Sequence, residues 1–253
     1  MTPLSRVRVE YIGGGGIREQ RSGTMRIVIL DNVESDAGYQ GLGNYCYERM
    51  AGFFREGYEV VRMRPPFEGL PEDSARWAER EGVYGLVIGG SLKCPLDTDS
   101  WIREEERFVR EFAGAGRPVL AICFGHELLA SAFGGGLERM PRLKCEAGPM
   151  ELLKEDALFE GMSGETFQVV NHSVRVVRPP KGFEPLAATP GDPVQAMKMK
   201  GAPVYGVQFH PEMDPGIKKY DPSWRTLADQ VLEKIEGRLL MDNFKRIVAS
   251  ARV

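Results

Sequence analysis

The stretch Arg117-Pro-Val-Leu-Ala-Ile-Cys-Phe-Gly-His-Glu127 constrains this chain more than any other. Val119 to Ile122 is an unbroken apolar run, the pattern of a short strand buried on both faces of a parallel sheet. It runs straight into Cys123, and Gly125 follows two residues later. Glu127-Leu-Leu-Ala-Ser-Ala-Phe133 then has helical spacing and stops at Gly134-Gly-Gly136. A strand, a sharp turn carrying a nucleophile and a helix make up a nucleophile elbow. The turn holds its central residue in a strained backbone conformation, so small residues are needed around it, and Ala121 and Gly125 supply them. Cys123 then stands at a helix N-terminus, whose partial positive charge favours thiolate over thiol. The plainer alternative, a buried structural cysteine, stays open on this stretch alone.

A second apolar run, Val204-Tyr-Gly-Val-Gln-Phe-His-Pro-Glu212, ends in His210 and Glu212. Residues two apart on an extended segment face the same way. One side chain can therefore approach Cys123 while the other holds the imidazole from behind, giving a nucleophile, a base and an orienting carboxylate. Together, Ala-Ile-Cys-Phe-Gly-His-Glu and Gly-Val-Gln-Phe-His-Pro-Glu resemble the two signature motifs of class I, triad-type glutamine amidotransferases, in their stand-alone, GMP-synthase-like form. The likeness covers roughly residues 25 to 250, in the family's order and spacing.

Upstream, Arg26-Ile-Val-Ile-Leu-Asp31, Tyr58 to Met63 and Val83 to Ile88 read as buried strands. They alternate with helical patterns over 43–56, 72–81 and 101–113. Such alternation predicts an α/β, three-layer sandwich around a mainly parallel, doubly wound sheet. Its site would lie outside the carboxyl ends of the strands. Beyond the elbow, Pro141 to Leu153, Thr166 to Val177 and Phe183 to Ala188 read as a small antiparallel extension, and Ser223 to Ala249 as one or two closing helices. One domain is expected over 25–253. Residues 1–24 read as an extension: Arg6 to Ile12 could alternate as a strand, and Gly13-Gly-Gly-Gly16 reads as flexible. Those four glycines lack the Lys-Ser/Thr and the helix that a phosphate loop needs.

At 253 residues, 42% hydrophobic and 27% charged, the chain suits one large α/β domain. A net charge of −3, with basic and acidic residues interspersed, gives no electrostatic reason for nucleic acid or an anionic membrane as partner. No apolar run approaches the length of a membrane span, and no signal peptide precedes the first strand. Cys46, Cys94, Cys123 and Cys145 have neither metal-ligand spacing nor the density of a disulfide scaffold. A reducing cytoplasm is expected, with no metal and no cofactor.

The resemblance implies roles for further residues. Cys123 would attack the side-chain amide of glutamine to form a γ-glutamyl thioester. His210 would protonate the departing ammonia and then activate water, and Glu212 would fix the imidazole. The glycine loop Gly89-Gly90-Ser91 and the elbow would supply the backbone amides of Gly90 and Phe124 as an oxyanion hole. Asn171, His172 and Ser173 fall where the family binds the α-amino and carboxylate ends of glutamine. His126 is read as structural or surface, not as the base. A stand-alone amidotransferase implies a separate synthetase that receives the ammonia, since no ATP-binding loop is visible here. One departure stands out. The family elbow usually continues Gly-x-Gln, with the Gln holding substrate, and here it reads Gly125-His126-Glu127. An ionised carboxylate cannot donate a hydrogen bond. Related γ-glutamyl hydrolases carry Glu there, which makes cleavage of γ-glutamyl amides other than glutamine the alternative. A non-catalytic binding protein is the third reading, and the intact Cys, His and Glu argue against it.

Overall fold

The computed structural model describes residues 10–11, 25–34, 39–162 and 164–251. Among these residues ten strands form one sheet in the order β1-β3-β2-β4-β5-β10-β9-β8-β6-β7. Five of them, β3 (Glu59–Met63), β2 (Arg26–Leu30), β4 (Val83–Ile88), β5 (Val119–Ile122) and β10 (Val204–Val207), are parallel neighbours. The period-2 pattern of these strands is buried on both sides. Ile27 and Ile29 of β2, with Leu120 and Ile122 of β5, belong to one core, and Val28, Leu30, Val119 and Ala121 belong to the other. Helices α1 (Leu42–Gly52), the single-turn α5 (Asp229–Leu232) and α6 (Gly237–Ser250) cover the first face; α2 (Ser74–Glu81), α3 (Ser100–Gly114) and α4 (Phe124–Ala132) cover the second. These are the three layers expected from the alternation of strands and helices.

The antiparallel extension comprises β6 (Gly136–Leu152), β7 (Glu165–Arg178), β8 (Phe183–Thr189) and β9 (Asp192–Met199). Strand β9 was not expected. Thr189 pairs with Asp192 across Pro190-Gly191, so a tight hairpin turns here, and Gly191 takes the positive φ of 86° that such a turn needs. Of the extension expected over 1–24, only Glu10 and Tyr11 (β1) are described, paired antiparallel to β3; the glycine run and the rest lie outside the described residues. Among the described residues no helix is long and apolar enough to cross a membrane.

The chain leaves β2 for β3, then returns past β2 to β4 and β5, so the direction of winding reverses between β2 and β4. Val33, Gly90, Cys123 and His210 follow the carboxyl ends of β2, β4, β5 and β10, and all four line one cavity of about 310 Å³. Two close approaches hold its walls. A methyl group on Gly125 would lie 2.7 Å from the Ile88 carbonyl oxygen and 2.9 Å from Ile88 Cβ. One on Gly237, the first residue of α6, would overlap the backbone carbonyl of Pro211, the residue between His210 and Glu212.

Candidate active site

The strand-to-helix turn forces Cys123 to φ 53°, ψ −105°, the only positive φ of a non-glycine residue among those described. Such a conformation persists only where surrounding structure over-determines it. Here Cys123 N donates to the Val207 carbonyl at 2.8 Å, and Glu127 N closes the first turn of α4 onto the Cys123 carbonyl at 3.1 Å. The Phe124 amide is then left at the open helix N-terminus. The small-residue requirement at Gly125 has a more specific cause than crowding within the turn: α4 rests directly on the backbone of β4.

Gly90 sits against both Cys123 and His210; a Cβ there would lie 3.3 Å from His210 Cε1 and 3.9 Å from Cys123 Cβ. His210 Nδ1 bonds Glu212 Oε1 at 2.9 Å, and both side chains are buried. Burial alone would lower the imidazole pKa, but charge and hydrogen-bond interactions with Cys123 and with Glu212 outweigh it and hold His210 well above its ordinary value. The structure therefore brings Cys123, His210 and Glu212 together, with the imidazole set between thiol and carboxylate. Burial acts on the other cysteines in the opposite sense to activation. It pushes the thiols of Cys46 and Cys94 up, and that of Cys145 to about 11.

Asn171, His172 and Ser173 line the same cavity. The Asn171 carbonyl oxygen lies 3.6 Å from Cys123 Sγ. His172 is buried, its pKa lowered by burial, and its Nδ1 donates to the Val174 carbonyl at 2.7 Å. His126 does not reach the cavity. It is fully buried, bonds the Val194 carbonyl through Nε2 at 3.0 Å, and burial lowers its pKa to about 3, which is the structural reading and not the surface one.

Glu127 is also buried, and Gln208 Nε2 donates to its Oε1 at 3.0 Å. Burial raises its pKa to about 8, against the lowering effects of Gln208 and His210. At neutral pH it is chiefly the uncharged acid, with one O–H to donate. Sequence reasoning missed two contributors. Trp224 packs its ring edge to the His210 imidazole, centroids 5.3 Å apart, and Asp221 lines the cavity beside it. Both come from irregular turns after Glu212, where no periodicity marks a position; the Asp-Pro pair at a helix start was the one available signal. Among the described residues no group of three or more His, Cys, Asp or Glu side chains could hold a metal ion.

Known proteins resemble this chain in sequence and in fold. A glutamine-hydrolyzing GMP synthase subunit of Methanocaldococcus jannaschii is 41% identical over 189 residues, covering 74% of this chain and 88% of that one. The glutamine-hydrolyzing GMP synthase of Aquifex aeolicus is 31% identical over 191 residues, 70% of this chain. The match spans only 35% of the Aquifex protein, and only 57% of a GMP synthase subunit of Pyrococcus abyssi. Two solved structures share the fold. A putative GMP synthase subunit from Thermoplasma acidophilum has a TM-score of 0.66 at 21% identity, covering 90% of this chain and 95% of that one. A glutamine amidotransferase from Thermotoga maritima has a TM-score of 0.61 at 16% identity, covering 90% and 93%. The sequence model of the family described as "Glutamine amidotransferase class-I" matches residues 52–227, and the chain belongs to that family.

Proposed function

We propose that the protein hydrolyses the side-chain amide of glutamine and passes the ammonia to a separate synthetase. The observation that carries the reading is His210 held between Cys123 and the Glu212 carboxylate in a cavity at the carboxyl ends of the parallel strands. Cys123 Sγ attacks the amide carbon with its proton already resting on His210, whose pKa is held up beside Cys123 and Glu212. The negative charge that develops on the carbonyl oxygen meets the backbone amides of Gly90 and Phe124. Collapse breaks the carbon–nitrogen bond, His210 gives its proton to the leaving nitrogen, and ammonia departs from a γ-glutamyl thioester. Water, deprotonated by the same imidazole, hydrolyses the thioester to glutamate and restores the thiol. Glu212 keeps the imidazole in one orientation and stabilises its charged form throughout. The synthetase partner is inferred from relatives whose names make them one subunit of a GMP synthase. The single domain over 25–253 is part of the same proposal.

Glu127 decides between glutamine and other γ-glutamyl amides. An uncharged acid donates a hydrogen bond as a glutamine side chain would, so the departure from Gly-x-Gln keeps the family contact in place. Glu127→Gln is therefore expected to retain glutaminase activity within about threefold at pH 7, since one neutral donor replaces another. The wild type should lose kcat/KM as pH rises through about 8, and the variant should not. Stability should follow the same group. With the folded pKa above the unfolded one, the protonated acid contributes fully below about 4.5, and the contribution declines until about pH 8. Melting temperature of wild type should therefore fall over that range more than that of Glu127→Gln. Ammonia release from glutamine and from a γ-glutamyl dipeptide, measured across pH on both proteins, tests the assignment. Preference of the wild type for the dipeptide overturns it.

A further inference from the structure

The peptide that carries His210 and Glu212 is held from α1 by residues outside the cavity. Tyr45 and Arg49 lie one turn apart on α1, so both side chains reach the same neighbour. Arg49 Nε donates to the Glu212 backbone carbonyl at 3.0 Å, and its Nη1 pairs with Asp214 Oδ2 at 2.9 Å. Tyr45 Oη donates to the other carboxylate oxygen, Asp214 Oδ1, at 2.5 Å, and its ring stacks on Tyr220 with centroids 4.8 Å apart. Asp214 Oδ1 also caps the 3-10 helix Pro215–Lys219 by accepting from Gly216 N at 2.8 Å. One guanidinium fork thus spans Glu212 and Asp214, on either side of Met213. Neither Tyr45 nor Arg49 lines the cavity of Cys123.

The Glu212 side chain needs such a hold. It is 1% exposed; Oε1 meets His210 Nδ1, and Oε2 is buried with no hydrogen-bond partner among the described residues. A carboxylate with one contact through its own oxygens takes the rest of its orientation from the backbone that carries it. Helix α6 packs against that backbone at the Pro211 carbonyl, and Arg49 grips it one residue later. For folding alone the Arg49–Asp214 pair is a minor contributor, since the two side chains are 35% and 39% exposed. Its place on the Glu212 peptide gives it another use. We propose that Arg49, braced by Asp214 and Tyr45, is a positioning residue of the reaction, holding the Glu212 peptide so that Oε1 stays on His210 Nδ1. The inference rests on the mechanism proposed above for Cys123, His210 and Glu212. Arg49 touches neither the substrate nor the reacting atoms. It acts through Glu212, whose contact orients the imidazole and favours its charged form.

The test uses Arg49→Met, which keeps much of the apolar stem and removes the donors and the charge. With glutamine, kcat should fall about ten- to a hundredfold, the cost of a small misplacement in a catalytic array. KM should stay within about twofold, because the cavity wall is unchanged. The readout that a merely structural role would not move is the titration of His210. The chain has three histidines, so imidazole NMR resonances can be followed singly, with that of His210 assigned by its loss in His210→Gln. His210 faces Cys123 at the elbow, Glu127 of α4, His172 of β7 and Glu212 of its own segment. Only the last is touched by Arg49→Met, so His210 should titrate at lower pH than in wild type, with His126 unmoved as the internal control. Asp214→Asn keeps an oxygen to cap Gly216 and takes the carboxylate from Arg49. It should move kcat and His210 in the same direction, and it keeps the question answerable if Arg49→Met does not fold. The double variant should lose no more than the worse single one, as groups acting as one unit do. Wild-type kcat and wild-type His210 titration in either folded variant overturn this proposal and leave the mechanism standing, whatever happens to melting temperature. So do losses that multiply in the double variant. Ammonia release that survives Cys123→Ala overturns the mechanism and this inference with it.

Discussion

Cys123→Ala is expected to abolish ammonia release from glutamine, by about 10⁴- to 10⁶-fold, the scale seen when a nucleophile is taken from a working triad. The loss should fall on kcat, because the thiol forms a covalent bond in the transition state and contributes little to holding the ground state. Melting temperature should change little or rise, since alanine at φ 53° is no worse placed than cysteine and the strain belongs to the turn. The comparison that gives the result its meaning is with Cys46, Cys94 and Cys145. Their thiols are pushed up by burial, and serine or alanine at any one of them should leave kcat within a few-fold. If Cys123→Ala released ammonia at the wild-type rate, the mechanism proposed here would be wrong.

The second large effect is expected at Gly125, from a single methyl group. Gly125→Ala sets Cβ 2.7 Å from the Ile88 carbonyl oxygen and 2.9 Å from Ile88 Cβ. Both are fixed to the backbone of β4, so no side chain can swing aside. The helix must lift from the strand. Overpacking of this kind costs roughly 1–3 kcal/mol or more, which for a domain of this size is about 2–12 °C in melting temperature. Lifting α4 also moves Cys123 away from Gly90 and His210, and a misplacement near 1 Å costs on the order of a hundredfold in rate. Gly125→Ala should thus lose activity and stability together, unlike Cys123→Ala. Thermal melts and glutaminase rates on the two variants separate a missing atom from a displaced frame. Unchanged melting in Gly125→Ala would mean the contact with β4 is softer than described.

How much of this was legible beforehand depends on how local the cause is. The elbow and the parallel strands could be read because an apolar run, a turn residue and a helix sit within a dozen positions, and the pattern of Ile27 to Leu30 is fixed by strand geometry. Strand β9 escaped because Asp192-Pro193 opens it with a residue pair that reads as loop, although Pro190-Gly191 marked the hairpin. The protonated state of Glu127 was out of reach: nothing within α4 says that Gln208, 81 residues on, will cover it. Asp221 and Trp224 were hidden for a related reason. Their segment is fixed by what it folds against, and 3-10 turns leave no periodic mark. His126 illustrates the reverse, a residue type that invites a catalytic role in the motif and is instead tied to the Val194 carbonyl.

A chain emerging from the ribosome completes the Cys123 turn long before it makes Gly237. Until α6 docks against the Pro211 backbone, the segment that carries His210 and Glu212 lacks that contact. Order of synthesis then bears on order of assembly: the sheet and elbow can form first, and the segment bearing His210 and Glu212 gains its contact with the last helix only when that helix closes. Mutations that loosen that helix would then act as a dimmer on the chemistry while leaving the sheet folded, which places a control point for activity more than a hundred residues from the atom that reacts.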